Sequence, residues 1–297
     1  MRGFIRRVVL RLLVACSLAG TVCLVPRPAR AQESVQNTIY DGFDVCKGRD
    51  VQPSTSDMHA FWVNTPYYEY FLYVGGSTAY CPGPQSGINS SWVSTVTIEG
   101  WGLVGLWVGP QCCGTASATV ISTNLATAYS QGVSEADKAA NQWCAWDLCY
   151  GLPEPLVYDF EGDSDPSAEH SFLSGWDTEL ENRLFAPGAY GATDNPTDEV
   201  QNWKTVSPVP QLIGAASWNG INSAWNVPYL SNSDWAFDQR YHQYVNEQSE
   251  TYNGVTLRVD NDCANSPVLG SLNSYGDFSN DTETAGYAED PESCPVP

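Results

Sequence analysis

From Ile39 to Leu184, short apolar runs alternate with segments of helical spacing, the rhythm of a parallel sheet whose strands are joined by helices. Residues 39–46 read as a first strand, and 57–62 as a short helix that begins with an acid. A second strand covers residues 70–76. Asn89-Ser90-Ser91-Trp92 opens a capped helix running to Trp101, and residues 103–109 form the third strand. The clearest helix runs over 134–147, where Ala139, Ala140, Trp143 and Trp146 fall near one face. A fourth strand ends in Leu156-Val157-Tyr158-Asp159-Phe160-Glu161-Gly162, a helix follows over 168–184, and 188–192 is the fifth strand.

The rhythm then changes. Residues 212–218, 240–245 and 256–259 read as strands, with no comparable helix between the last two. Five strand-helix units followed by three closing strands predict an α/β fold, a distorted TIM barrel in a single domain over residues 32–270. Asn265-Ser266-Pro267 punctuates the chain after the last strand, and residues 271–297 form a polar, acidic tail.

The fourth strand carries the candidate chemistry. Strand side chains repeat with period two, so Asp159 and Glu161 share one face. In a parallel barrel the C-terminal ends of the strands are where active sites form, and two acids there suit protonation of a leaving oxygen and stabilisation of positive charge on a sugar ring.

Composition places this chemistry outside the cytoplasm. Residues 1–31 hold Arg2, Arg6, Arg7 and Arg11 ahead of and inside an apolar stretch reaching Pro26, followed by the small-x-small pattern Ala29-Arg30-Ala31. This is a signal peptide cut after Ala31. Arg6-Arg7 also fits twin-arginine export, and Cys16 a lipoprotein box, although the apolar run continues past Cys16. The chain carries a net charge of −21, and because the leader holds six of its thirteen basic residues and no acid, cleavage takes the remainder to −27. Nucleic acid and anionic membrane are poor partners for that surface, and no membrane insertion is expected after cleavage. A secreted monomer with a solvated acidic coat is expected.

Eight cysteines remain: Cys46, Cys81, Cys112, Cys113, Cys144, Cys149, Cys263 and Cys294. An even count in an exported chain favours disulfides that tie loops, with Cys263 and Cys294 one plausible pair. No Cys-x-x-Cys occurs and only His59, His170 and His242 could add imidazole ligands, so no metal or other cofactor is expected. The alternating acids of Glu161-Gly162-Asp163-Ser164-Asp165 raise structural calcium, but the closing glutamate of a full calcium loop is absent. Nucleophile-elbow, phosphate-loop and His-Glu-x-x-His motifs are also absent.

A family resemblance lies in the order of several short motifs. Tyr40-Asp41-Gly42-Phe43-Asp44-Val45-Cys46, Pro53-Ser54 with Met58 and Trp62, Tyr73-Val74-Gly75-Gly76, Trp101-Gly102-Leu103, Val108-Gly109-Pro110-Gln111, Tyr158-Asp159-Phe160-Glu161, and His242-Gln243-Tyr244 ahead of Val259-Asp260 resemble the glycoside hydrolase-like TIM-barrel family of secreted bacterial proteins. That family is itself similar to the lysozyme-type N-acetylmuramidases. The resemblance implies a catalytic set of Asp44, Asp159, Glu161 and Asp260, with Glu161 as general acid. Asp159 would stabilise the oxocarbenium-like centre, orient an internally attacking N-acetyl group, or act as nucleophile. Asp262 lies on the same strand face as Asp260 and competes for its role.

The sugar-binding side chains are expected among the aromatics and amides. Trp62, Trp92, Trp101, Trp143, Trp146 and Trp176 are expected in packing. Trp107, Tyr190 and Trp218 stand near the ends of strands three, five and six, where they would floor a cleft. Tyr73, Gln111 and Gln243, in the motifs that carry the resemblance, join them as substrate-binding residues, while His242 is expected to fill space. Each acid has a bland rival as a helix cap or a loop hydrogen-bonder. Two functions follow: a secreted glycoside hydrolase acting on a cell-wall or extracellular polysaccharide, or a barrel that binds such a glycan without cutting it.

Overall fold

The computed structural model describes residues 41–45, 52–79, 87–149, 153–161, 165–196, 199–236 and 239–264. The leader, Cys46, Cys81, Cys294, Gly162 to Ser164 and the acidic tail lie outside the described residues.

Eight strands close into one barrel, in the order β1 (Asp41–Asp44), β2 (Tyr67–Gly75), β3 (Gly102–Trp107), β6 (Glu154–Asp159), β7 (Phe185–Ala192), β8 (Leu212–Ala216), β9 (Arg240–Tyr252) and β10 (Val255–Ala264), which returns to β1. All neighbours are parallel except β10, which runs antiparallel to both β9 and β1. Helices α1 (Thr55–Asn64), α2 (Ser90–Glu99), α3 (Leu125–Ala145) and α4 (Pro166–Asn182) follow the first four barrel strands. The short α5 (Glu199–Asn202) and a 3-10 turn (Trp203–Thr205) follow the fifth. The last three strands are joined without helices, as the sequence pattern predicts. A two-stranded sheet of β4 (Gln111–Gly114) and β5 (Val120–Ser122), which the pattern did not predict, precedes α3.

Each of the four longer helices starts where a side chain takes up free backbone amides. Ser54 and Asp57 form a capping box on α1, Asn89 caps α2, Asn124 caps α3, and Asp165 caps α4 ahead of Pro166. The helix expected from Ser134 begins nine residues earlier, at Leu125. The added turns include Gly132, where α3 meets α4. A Cβ there would lie 1.9 Å from the Phe172 carbonyl oxygen, and one at Gly175 would lie 2.1 Å from that of Tyr129. The backbones cross so closely that only glycine fits on either side.

The barrel wall separates two apolar layers. Outside, Phe43, Tyr70, Leu72, Leu103, Leu156 and Tyr158 pack against helix residues such as Phe61, Trp92, Trp143, Phe172 and Trp176. Inside, Phe71, Val104, Leu106, Val157, Leu212 and Tyr241 fill the lumen, as expected for a packed barrel. Phe71 and Tyr241 meet at 4.4 Å between ring centroids. Room for them comes from Gly42 and Gly214, where an added Cβ would fall 2.7 Å and 2.3 Å from those rings.

The β9–β10 hairpin is longer than its neighbours require. Asn253 and Gly254 turn it with φ of 49° and 81°, the left-handed pair of a type I′ turn. Beyond an irregularity near Glu247 (φ 61°) and Asp260, the ribbon packs against α1, with Tyr252 edge-on to Phe61 at 5.0 Å. Among the described cysteines, Cys144 pairs with Cys149, tying the end of α3 to the following loop, and Cys112 pairs with its neighbour Cys113. Cys263 is also disulfide-bonded, to a partner outside the described residues.

Candidate active site

The four candidate acids meet at the C-terminal mouth of the barrel. β1 ends in Asp44 and β6 in Asp159, both buried. The antiparallel pairing of β10 with β1 sets Asp260 opposite Asp44. Glu161 lies just beyond the end of β6 and reaches solvent. A narrow crevice there is lined by Asp44, Phe71, Tyr73, Leu106, Asp159, Tyr190, Tyr241 and Gln243.

The carboxyls feel one another. Asp159 and Glu161 lie close enough for each to perturb the other's protonation. Burial, and then the charge of Glu161, hold the Asp159 carboxyl well above the usual carboxylate range. Glu161 is also raised, by partial desolvation and by Asp260, while the neighbouring Asp159 pulls it back. Asp44 is raised by burial and then by Asp260, against hydrogen bonds from Tyr73 and Gln243. Partial burial pushes Asp260 up to about 6, with Arg258 opposing. Asp260 sits at the ladder irregularity and accepts the backbone N–H of Glu247; such bulges re-aim side chains at barrel rims. Asp262 lies two residues deeper, fully buried, opposite Gly42.

Gln243 organises the rest of the mouth. Its Nε2 donates to Asp44 Oδ2 at 3.0 Å, while its Oε1 accepts from Tyr190 Oη at 2.7 Å and Trp218 Nε1 at 2.9 Å. Tyr73 donates to Asp44 Oδ1 at 3.3 Å. Trp218 is 58% exposed, its edge bonded to Gln243 and much of its face open to solvent. Of the six expected substrate-binding residues, Tyr73, Tyr190, Trp218 and Gln243 therefore gather around Asp44.

Trp107 does not join them. It faces the helix layer, where its indole donates to Glu135 of α3 at 2.7 Å. Gln111 is adjacent to the acids, but its side chain is bonded to backbone, to the Gly109 and Asp159 carbonyls and the Glu161 N–H. His242 is buried on the outer side of β9, with Nδ1 2.7 Å from the Ser223 carbonyl oxygen and Nε2 2.8 Å from that of Ser217. Tyr241, which lines the crevice, is a residue that sequence reasoning missed. Its place two residues before Gln243 on one strand was the available signal.

Asp165, the last acid of the calcium-like run, spends its carboxylate on the amides of Ser167 and Ala168 at the start of α4. Among the described residues, no group of three or more His, Cys, Asp or Glu side chains is placed to hold a metal ion. Nor does any described helix have the length and apolarity to cross a membrane.

Comparisons with known proteins agree with this architecture. Among solved structures, the chain is similar to the Tat-secreted protein Rv2525c of Mycobacterium tuberculosis, crystallised with HEPES. The TM-score is 0.52 and the identity 15%, over 78% of this chain and 98% of that one. Looser likeness extends to the catalytic domain of endolysin ply40 from bacteriophage P40 of Listeria monocytogenes (TM-score 0.45, 10% identity, 81% and 96% covered). It extends further to the Bacillus cereus spore cortex-lytic enzyme SleL (TM-score 0.41, 10% identity, 74% and 53% covered). A search of curated proteins finds no match. Residues 60–264 match the family described as Rv2525c-like, glycoside hydrolase-like domain. This span holds all the barrel strands but β1, and the chain belongs to that family.

Proposed function

We propose that this protein is a secreted glycoside hydrolase acting on a cell-wall or other extracellular polysaccharide, with Glu161 as the acid that protonates the leaving oxygen. The observation that carries the reading is the convergence of Asp44, Asp159, Glu161 and Asp260 at one barrel mouth, from β1, from β6 and the residues just past it, and from β10.

Carboxyls crowded there hold protons at higher pH than isolated ones, the condition for general acid catalysis near neutrality. Glu161, the solvent-facing member of the pair, is the one a glycosidic oxygen can reach. Asp159 stands behind it to share its proton and to oppose positive charge on the sugar ring. Asp44 is held by Tyr73 and Gln243, and faces the same ring from the other side of the crevice. Trp218 offers the exposed aromatic face on which a neighbouring sugar unit stacks.

The test is Glu161→Gln, assayed for release of reducing ends from purified peptidoglycan and other extracellular glycans. Turnover is expected to fall at least about a hundredfold, the contribution of a positioned general acid, with thermal unfolding unchanged. Unaltered turnover would remove Glu161 from the mechanism. A wild-type protein that binds a glycan and leaves it uncut through long incubation would establish the binding-only alternative.

A further inference from the structure

We propose that Gln111 is a positioning residue, a side-chain rung that extends the β3–β6 ladder past its end and thereby aims Glu161. The inference rests on the reading of Glu161 as the acid, and gives Gln111 a role other than touching sugar.

β3 and β6 pair in parallel through Gly105 with Leu156, Leu106 with Val157 and Trp107 with Tyr158. Past Tyr158, β3 supplies no further partner, although the chain must still deliver Asp159 and Glu161. In a parallel ladder, a residue opposite position i donates its N–H to the carbonyl of i−1 and accepts the N–H of i+1. The Gln111 amide makes that pair of bonds around Phe160. Its Nε2 donates to the Asp159 carbonyl at 3.0 Å, and its Oε1 accepts the Glu161 N–H at 2.7 Å. On the opposite side, Phe160 N–H donates to the Tyr190 carbonyl of β7 at 2.9 Å. The peptide units flanking Phe160 are thus held from both neighbours, one of which is a side chain.

The rung is itself anchored. Gln111 N–H donates to the Thr119 carbonyl at 3.1 Å within the β4–β5 sheet. Gln131 of α3 fixes that sheet in turn, donating to the Val120 carbonyl at 2.9 Å and accepting the Ser122 N–H at 2.8 Å. Next to Gln111, Cys112 Sγ accepts the Asp165 N–H at 3.2 Å, so β4 grips the chain on both sides of residues 162–164. Only a primary amide supplies both a donor and an acceptor at this reach: glutamate loses the donor, methionine loses both, and asparagine is one methylene short.

The experiment compares wild type with Gln111→Met and Gln111→Asn, reading amide hydrogen exchange at Glu161 without substrate, and kcat and KM on the glycan that wild type cuts. In both variants Glu161 amide exchange is expected to quicken about tenfold, the worth of one lost hydrogen bond, with the amides of Leu156 and Val157 unchanged. In the same variants kcat is expected to fall about tenfold with KM held within twofold. Unchanged Glu161 exchange in a folded variant overturns the proposal, as does a raised KM at constant kcat, which would place Gln111 against the sugar. Should wild type cut no glycan, the hydrolase reading fails, and the exchange data still decide whether the rung exists.

Discussion

Gln243 shows how one amide can set the state of a mouth otherwise made of acids and phenols. It is buried and uses both ends of its side chain. Gln243→Leu would leave Asp44 and Tyr190 short of a partner in a desolvated place, where an orphaned polar group costs about 1–3 kcal/mol. We expect unfolding in urea at a lower midpoint by that amount, together with weaker saccharide binding by titration calorimetry. The place of the strand-end acids at the barrel mouth was legible in the sequence, because carboxylates closing apolar runs stand out against a buried strand, whereas Gln243 entered only through the family resemblance. Trp107 was misplaced for a physical reason. A strand of a parallel barrel is apolar on both faces, so nothing in Leu103-Val104-Gly105-Leu106-Trp107 shows which parity points inward. The rung made by Gln111 was illegible too, since it joins residues 50 apart through a side chain.

At the scale of elements, the glycines were the least readable signals. Gly132 falls outside the helix expected from Ser134 and Gly175 inside the one expected over 168–184, and neither announces a helix contact. In the folded chain they let α3 and α4 touch backbone to backbone. Gly132→Ala is expected to destabilise the protein by about 1–3 kcal/mol, the usual cost of overpacking, despite alanine's better helix propensity. Denaturant unfolding checks this, and a stabilised variant would mean that the helices separate at little cost. The β9–β10 hairpin was readable in principle. Asn253-Gly254 is a strong type I′ signal, but the polar sequence between Asn246 and Thr251 hid the length of β9, whose far half leaves the barrel.

For the whole molecule, the dominant trait is acidity enclosed as well as displayed. Asp41, Asp44, Asp159, Asp177 and Asp262 are each held above the ordinary carboxylate range, first by burial. The folded chain therefore binds protons more tightly than the unfolded one. The stability linked to these groups is complete below about pH 4, the unfolded carboxylate range, and is lost as pH rises through the folded values, near 6 for Asp260. The thermal midpoint is expected to fall by at least about 3 °C between pH 4 and pH 8, the equivalent of about 1 kcal/mol in a chain this size. Both carboxyl oxygens of Asp262 lack a hydrogen-bond partner among the described residues, so Asp262→Asn should flatten that slope. Calorimetry across the pH range checks both, and a midpoint rising toward pH 8 would contradict the assignment. The overall barrel was legible because its alternation spans most of the chain. The depth at which its acids are enclosed was not, since a carboxylate's burial depends on which strands surround it.

The tie from Trp218 through Gln243 to Asp44 also supplies a built-in optical reporter. Of eleven tryptophans, this is the one indole largely open to solvent, the others being buried or half-buried. A neutral quencher such as acrylamide will dim it selectively, and an occupied cleft will shield it, so the arrival of a saccharide can be followed by fluorescence without any label.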